Sequence, residues 1–355
     1  MDKIRVLFLP AVDETSVNAQ SLNVREIALR LDTERFRCTL FHELEPDPRL
    51  LDRPAIRLQP LPERGKTLRI LREMLAGYDL IAYMDYSPAS YLFLHLPRAL
   101  RKRTKAVFHA EAPTSQLVNP SRTLRFLYQG VVSRCDLYTG ITEFVAQDLH
   151  STIGIDVSHI LPVGVDTSLF TPPSVRKNSS PVVLFAGTVI ERKGPQFLLD
   201  AAALFANAIF RIVGAGRGRF DEILRKKIAS GLKNVTLDGP KTQLQLIEIM
   251  RQCDIFLLPS RLEGIPKVTL EAAATGLPCV VFRDYQTPSV IDGVTGFQVG
   301  TTEEMMQALG TLIGDRVLRD RMGAAARKHI QEFDWDLVCK QWQSAYLDMA
   351  AITVR

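Results

Sequence analysis

The strongest constraint in this sequence is an alternation that runs along most of its length. Short apolar runs of strand type take turns with stretches of helical periodicity. Residues 4–9 (I-R-V-L-F-L) read as a buried strand, Leu22 to Leu31 as a helix that is apolar at 24, 27, 28 and 31, and 38–42 as a second strand. A helix over 67–76, strands over 79–84 and 106–109, a helix over 122–134, a strand from Asp136, a helix over 143–152 and a short strand at 160–163 follow. The stretch 43–66, rich in Pro, Glu and Arg, reads as a surface connection. Strands that alternate with helices imply a parallel, doubly wound sheet.

The alternation stops once and starts again. P-V-G-V-D-T-S-L-F-T-P-P (162–173) and the polar S-V-R-K-N-S-S-P behind it make the best linker in the chain. Beyond it come strands over 182–186, 210–213, 235–237 and 255–258, with helices over 195–205, 220–229 and 244–250 between them. S-R-C-D-L-Y-T-G-I-T (133–142) and R-Q-C-D-I-F-L-L-P-S (251–260) echo one another where a helix hands over to a strand. At 355 residues the chain exceeds what one core supports, so two domains are expected. Residues 302–349 read as helices broken at F-D-W-D (333–336).

Composition excludes several classes. No run of 18 apolar residues is present, and Met1-Asp2-Lys3 leads straight into a strand with no signal-type apolar region, so a cytoplasmic protein is expected. Five widely spaced cysteines without a C-x-x-C argue against a disulfide framework and a zinc site. The net charge of +5 is balanced between the halves, which argues against a nucleic-acid-binding polycation. The basic stretch Arg98, Arg101, Lys102, Arg103 and Lys105, with Arg122 and Arg125, is either a solvated helix end or a surface for anionic lipid.

The chemistry concentrates in Asp254 to Gly276, D-I-F-L-L-P-S-R-L-E-G-I-P-K-V-T-L-E-A-A-A-T-G. It reads as strand, loop and helix, with Pro266 at the first helical position and Gly276 just past the end. The free amides and the dipole at the helix start make an anion site over Gly264, Ile265, Pro266, Lys267 and Val268. Glu263 in the loop and Glu271 on the helix could accept hydroxyls on either side of a bound pyrophosphate, although a βα unit with two surface glutamates has the same pattern. G-T-V-I-E-R-K-G-P (187–195) is a second turn between strand and helix, where Arg192, Lys193 and a helix beginning at Pro195 suit a diphosphate. It is not a P-loop. I-V-G-A-G-R-G-R (212–219) is glycine-rich but lacks G-x-G-x-x-G. His109 ends an apolar run, a position that equally suits a satisfied structural histidine.

E-G-I-P-K-V-T-L-E followed by A-A-A-T-G-L-P-C-V-V, with D-G-V-T-G-F-Q-V at 292–299, resembles the E-x7-E signature of the retaining GT-B glycosyltransferases of family 4. The resemblance is strong over 160–300 and weaker elsewhere. It implies an α/β protein with two Rossmann-like doubly wound domains facing across a cleft. An acceptor domain would occupy 1–168, a nucleotide-sugar domain 169–335, and 336–355 would be a helix packing back on the first domain.

The resemblance also implies roles. Glu263 would hold the donor sugar and Glu271 the ribose hydroxyls, with Lys193 and Arg192 on the pyrophosphate. Gly187 and Thr188 begin the phosphate loop, and Thr188 stands where the family carries Arg. Gly214 and Gly216 would lie near the nucleotide, Gly239 in D-G-P-K near the base, and His109, with Glu111 as a weaker neighbour, beside the donor sugar. Ser289 replaces a family glutamate, and the turn after the first strand lacks the family's glycines. No cofactor and no metal is implied, only a UDP- or GDP-linked sugar and a saccharide or lipid-linked acceptor, with envelope polysaccharide or glycolipid synthesis as the setting. The rival readings are another GT-B sugar-nucleotide enzyme, such as a phosphorylase or epimerase, and a non-catalytic subunit that binds a nucleotide or a partner.

Overall fold

The computed structural model describes residues 2–13, 19–82, 85–101, 103–114, 122–176, 178–216 and 218–352. Its thirteen strands are β1 (Ile4–Ala11), β2 (Phe36–His42), β3 (Ile56–Pro60), β4 (Leu80–Ala82), β5 (Lys105–Ala110), β6 (Leu137–Gly140), β7 (His159–Ile160), β8 (Val182–Ala186), β9 (Ile209–Val213), β10 (Val235–Gly239), β11 (Ile255–Leu258), β12 (Cys279–Phe282) and β13 (Gly296–Val299). They form two sheets, ordered β3-β2-β1-β4-β5-β6-β7 and β10-β9-β8-β11-β12-β13. Every pairing in both sheets is parallel. The chain divides into two units, Met1–Val163 with Trp335–Arg355, and Gly164–Asp334. The boundaries expected from sequence were 168 and 336.

Ten of the strands form where expected, because parallel strands are covered on both faces and so read as continuous apolar runs, whereas β12 and β13 are additional to those read from sequence. β8, β11 and β12 are buried at every position. The stretch 43–66 differs from expectation: it holds a short helix, Pro48–Leu51, and the edge strand β3. An edge strand is covered less, and I-R-L-Q-P alternates and ends in proline, which only an edge tolerates. A further helix, Pro88–His95, lies between β4 and β5, additional to those read from sequence. Residues 83–84, the end of the expected third strand, lie outside the described residues, as do 14–18 of the glycine-free turn after β1.

The helix Trp335–Ala351 belongs to the first unit although it follows the second in sequence. Its buried residues are Trp335, Val338, Cys339, Trp342, Ala345, Tyr346 and Met349, a helical stripe of three- and four-residue steps. Polar contacts pin it at both ends and in the middle. Arg30 Nε donates to Asp336 at 2.7 Å, Trp342 Nε1 donates to the Pro162 carbonyl at 2.8 Å, and Lys105 Nζ donates to the carbonyls of Met349 and Ala350 at 3.1 and 2.5 Å. The lysine satisfies carbonyls that the last helical turn leaves open and meets the negative end of the dipole.

Trp342 is 2% exposed and packs on His109 and Tyr346 with ring centroids 4.8 and 5.8 Å away. Trp342→Ala is expected to cost about 3–5 kcal/mol, the range for emptying an aromatic site in a core. Urea unfolding followed separately for each unit checks this, and the loss is expected in the first unit alone.

Candidate active site

In the second sheet the chain moves outward from β8 through β9 to β10, then returns to pair β11 on the other side of β8 and moves outward again. Such a reversal leaves a crevice beyond the carboxyl ends of the two central strands, the usual ligand position in open parallel sheets. The loops that flank it are 187–194 after β8 and 259–266 after β11.

These loops carry the charged residues named from sequence. Glu263 is 7% exposed. Its Oε1 accepts from Lys193 Nζ at 2.6 Å, from Ser260 Oγ at 2.6 Å and from Arg192 Nη1 at 3.3 Å. Arg192 Nη1 also donates to the Leu262 carbonyl at 2.8 Å. Gly194 brings the loops this close. It sits at φ +74°, and a Cβ there would meet the Pro259 carbonyl oxygen at 2.5 Å. Thr188, at the family's arginine position, is exposed, and Arg192 reaches Glu263 instead.

The glycines of the neighbouring loops form one layer. Gly187 N–H donates to the Val213 carbonyl at 3.0 Å, and Gly214 N–H donates to the Gly239 carbonyl at 2.9 Å. Gly214, at φ +147°, lies so near Gly187 that a Cβ would collide with the Gly187 carbonyl. Val189 N–H reaches the Ala215 carbonyl at 3.0 Å, and Val189 bridges Gly216. The structure thus brings Gly187, Gly214, Gly216 and Gly239 to the same edge of the sheet.

The helix after β11 runs Lys267–Ala274, with Pro266 as its N-cap rather than its first helical residue as expected. The Lys267 and Val268 amides therefore precede any intrahelical acceptor. At the other end Gly276, at φ +72°, donates to the Ala273 carbonyl and Leu277 to that of Ala272, the paired bonds of a glycine-terminated helix. A hydroxyl chain fixes the first turn. Thr287 Oγ1 lies 2.8 Å from Ser289 Oγ, which lies 2.7 Å from Thr269 Oγ1, and Thr269 donates to the Pro266 carbonyl at 2.7 Å. Ser289, where the family carries a glutamate, is a member of this chain.

Glu271 is the second carboxylate on this segment and has a different environment. It is 7% exposed, and no hydrogen bond reaches its carboxylate among the described residues. Burial pushes its carboxyl up to about 7, against a smaller opposing pull from Lys267. A group poised to ionise near neutrality with both oxygens open is suited to accept two neighbouring hydroxyls.

Three residues here were not named from sequence. The sequence motifs give Ser260 no role, and Gly194 stands there only as the residue before the helix at Pro195. Tyr285 lies in the turn Arg283–Tyr285 after β12, is completely buried, and has no hydrogen-bond partner for its hydroxyl among the described residues. Burial raises its hydroxyl well above the usual phenol range, and the Glu263 charge adds to that.

His109 belongs to the first unit, in β5. Its Nδ1 meets Thr139 Oγ1, its Nε2 lies 3.1 Å from the Tyr346 hydroxyl, and burial holds its imidazole down to about 3, hence neutral. Its hydrogen-bonding capacity is used inside that unit. Glu111 accepts from Asn23 Nδ2 at 2.7 Å. The basic stretch is also drawn inward. Arg98 pairs with Asp136 at 2.7 Å, Lys105 is buried under the last helix, and the Arg101 guanidinium lies 5.9 Å over Phe93 with its side chain 11% exposed. Arg103 is exposed, and Lys102 lies outside the described residues.

Residues 180–315 match the family described as Glycosyl transferases group 1, and residues 22–169 match Glycosyltransferase Family 4. A GDP-mannose-dependent monoacylated alpha-(1-6)-phosphatidylinositol monomannoside mannosyltransferase of Corynebacterium glutamicum is 27% identical over 57% of this chain and 60% of its own length. A D-inositol 3-phosphate glycosyltransferase of Jonesia denitrificans is 29% identical over 61% of this chain and 58% of its own. The chain thus spans about three-fifths of the length of these relatives. The crystal structure of Anabaena HepE in complex with UDP-glucose superposes with a TM-score of 0.80 at 19% identity, covering 97% of this chain and all of that one. At that identity the likeness shows the fold.

The Glu271 environment has a measurable consequence. The native state keeps a proton that the unfolded chain releases between about pH 4.5 and 7, so the group's contribution is present below that window and lost as pH rises through it. Glu271→Gln stays neutral throughout. It is expected to gain stability over the parent between about pH 5 and 8, by at most about 3 kcal/mol, since a tenfold change in proton affinity is worth about 1.4 kcal/mol. Urea midpoints of both proteins at the two pH values measure the difference.

Proposed function

The chain belongs to the family 4 glycosyltransferases of GT-B fold, and on that premise we propose that it moves a sugar from a nucleoside-diphosphate donor to an acceptor hydroxyl. The observation that carries the reading is the placement of Lys193, Arg192 and Glu263 together at the strand-order reversal, with Glu271 about one turn along the adjoining helix. The donor pyrophosphate would lie against Lys193, Arg192 and the amides at the start of the helix Lys267–Ala274. Both cations now contact Glu263 Oε1. A diphosphate offers them more negative charge, so its arrival would draw them from the glutamate and free that carboxylate for the sugar. Glu271 would take the ribose hydroxyls.

The reaction breaks the bond between the sugar's anomeric carbon and the diphosphate oxygen. Negative charge then grows on the leaving diphosphate, where Lys193, Arg192 and the helix start would stabilise it. We infer that these groups stabilise it without a metal ion. Retention of anomeric configuration is inferred from the E-x7-E pattern alone. The names of the relatives favour GDP-mannose as one donor to test, and an inositol phosphate or a lipid-linked saccharide as the acceptor class, which fits glycolipid or envelope synthesis. No helix among the described residues is long and apolar enough to cross a membrane. Contact with an anionic membrane through residues 98–105 would rest on Arg98 and Arg103.

A thermal-shift panel of UDP, GDP, ADP and their common sugars, with and without EDTA, tests the donor. One nucleotide is expected to raise the melting temperature in both conditions, as a ligand bound only by the native state must. Glu271→Ala is expected to abolish that shift. Lys193→Ala is expected to lower kcat by roughly 100-fold or more, the scale for removing one charge-stabilising group. If no nucleotide shifts the melting temperature, the protein is instead a non-catalytic member of its family.

A further inference from the structure

Three helices of the first unit pack side by side, Lys66–Met74 on Pro88–His95 and Pro88–His95 on Arg122–Val132. Each buries one face, with Met74, Phe93, Leu94, Tyr128 and Val131 at most 6% exposed. Each also turns a large apolar side chain to solvent: Leu68 is 72% exposed, Leu92 46% and Phe126 57%. Single exposed apolar residues are ordinary, but a group of them on neighbouring helices marks a contact surface. Phe126 is tied to the middle helix. Its ring lies 5.0 Å from that of Tyr91, which stacks on His95 at 3.9 Å. Tyr91 in turn fits against bare backbone at Gly130, where a Cβ would collide with its ring.

The charges on these helices are of one sign. Their sequences, K-T-L-R-I-L-R-E-M, P-A-S-Y-L-F-L-H and R-T-L-R-F-L-Y-Q-G-V-V, hold one acid, Glu73. Glu73 is 4% exposed and accepts from the Tyr78 hydroxyl at 2.5 Å and from Arg57 at 3.3 Å, so it does not reach the surface. Arg72 and Arg125 are exposed and have no ion-pair partner among the described residues. Each helix therefore sets a basic side chain beside its exposed apolar one: Arg72 four residues after Leu68, His95 three after Leu92, and Arg125 next to Phe126.

The occupant must cover apolar side chains and bring negative charge to the cations among them. A second copy of the chain docked by the same face would set arginine against arginine with no acid to answer, as a two-fold contact repeats one patch on both sides. An anionic bilayer meets both demands, because its phosphates lie at the level of the guanidinium groups while the apolar side chains enter the acyl boundary. We propose that the outward face of these three helices docks the protein on an anionic lipid surface. The contact lies away from residues 98–105, where Arg98 and Lys105 are drawn to partners inside the unit. It does not rest on the sugar-transfer reading, and its test uses no nucleotide.

Flotation of the full chain with vesicles of phosphatidylcholine, alone and mixed with phosphatidylglycerol, tests this. The parent is expected to bind the mixed vesicles, and to bind them less as salt is raised. Leu92→Ser with Phe126→Ser, and separately Arg72→Glu with Arg125→Glu, are each expected to weaken binding by at least about tenfold without lowering the melting temperature. Arg103→Glu is expected to bind as the parent does. The tryptophan emission of Phe126→Trp is expected to shift to the blue on the mixed vesicles alone. Failure of the parent to bind mixed vesicles overturns the proposal, as does equal binding to phosphatidylcholine alone. Unchanged binding by both double variants overturns it too, and with loss in Arg103→Glu it moves the contact to residues 98–105. A dimer in sedimentation velocity that Leu92→Ser with Phe126→Ser disperses, in a protein that floats with no vesicle, assigns the face to a second copy instead.

Discussion

The reversal of strand order between β8 and β11 is the constraint on which the rest of the second unit depends. Adjacent parallel strands whose onward connections leave in opposite directions have loops that diverge, and no helix fills the space between them. Residues on those two loops are thereby presented side by side from positions about seventy apart in sequence. Close approach then depends on backbone that lacks a side chain. Gly194 lies against the Pro259 carbonyl, and Gly214 lies against that of Gly187. With these contacts made, Lys193 falls within 2.6 Å of Glu263 without further arrangement.

The two glutamates of the E-x7-E pattern differ in a way that follows from their supports. Glu263 stands on a loop beside two cations and a serine hydroxyl. Glu271 stands on a buried face of a helix, where neighbouring alanines pack and offer no donors. The first is neutralised by partners that a diphosphate can compete for. Arg192, with its side chain 41% exposed, holds on weakly, as partly solvated ion pairs do. The second keeps open the hydrogen-bonding capacity that a diol would use. One segment therefore carries an exchangeable ion pair and an unpartnered acid, eight residues apart.

Much of this was legible in the amino-acid sequence. The buried strands through β11 were, because covering both faces leaves little but Val, Ile, Leu and Phe in them, whereas β12, equally buried, was not read. The return of the last helix was, through the family resemblance, and the same motifs named Glu263, Glu271, Lys193 and Arg192, of which the structure brings Glu263, Lys193 and Arg192 together. The edge strand β3 was hidden because an edge alternates and tolerates proline, as a loop does. Pro266 misled by one position, since an N-cap and a first helical residue both suit a residue without an N–H. Tyr285 and Ser260 left no signal at all. Their importance lies in what stands next to them in space, and neither periodicity nor spacing along the chain encodes that. The basic stretch 98–105 shows the opposite error: charges that cluster in sequence can each be led to a separate partner inside the fold.

The helix Trp335–Ala351 closes the core of a unit whose remaining strands all precede Val163. The ribosome releases the chain from its N-terminus, and domains fold as units as they emerge. Residues 164–334 leave the tunnel as an uninterrupted piece that holds its whole sheet. The first unit must wait, with the face around His109 uncovered, until the last helix has been made. The segment synthesised second is thus the first that can be complete, and the older half of the nascent chain has an apolar face to protect in the meantime.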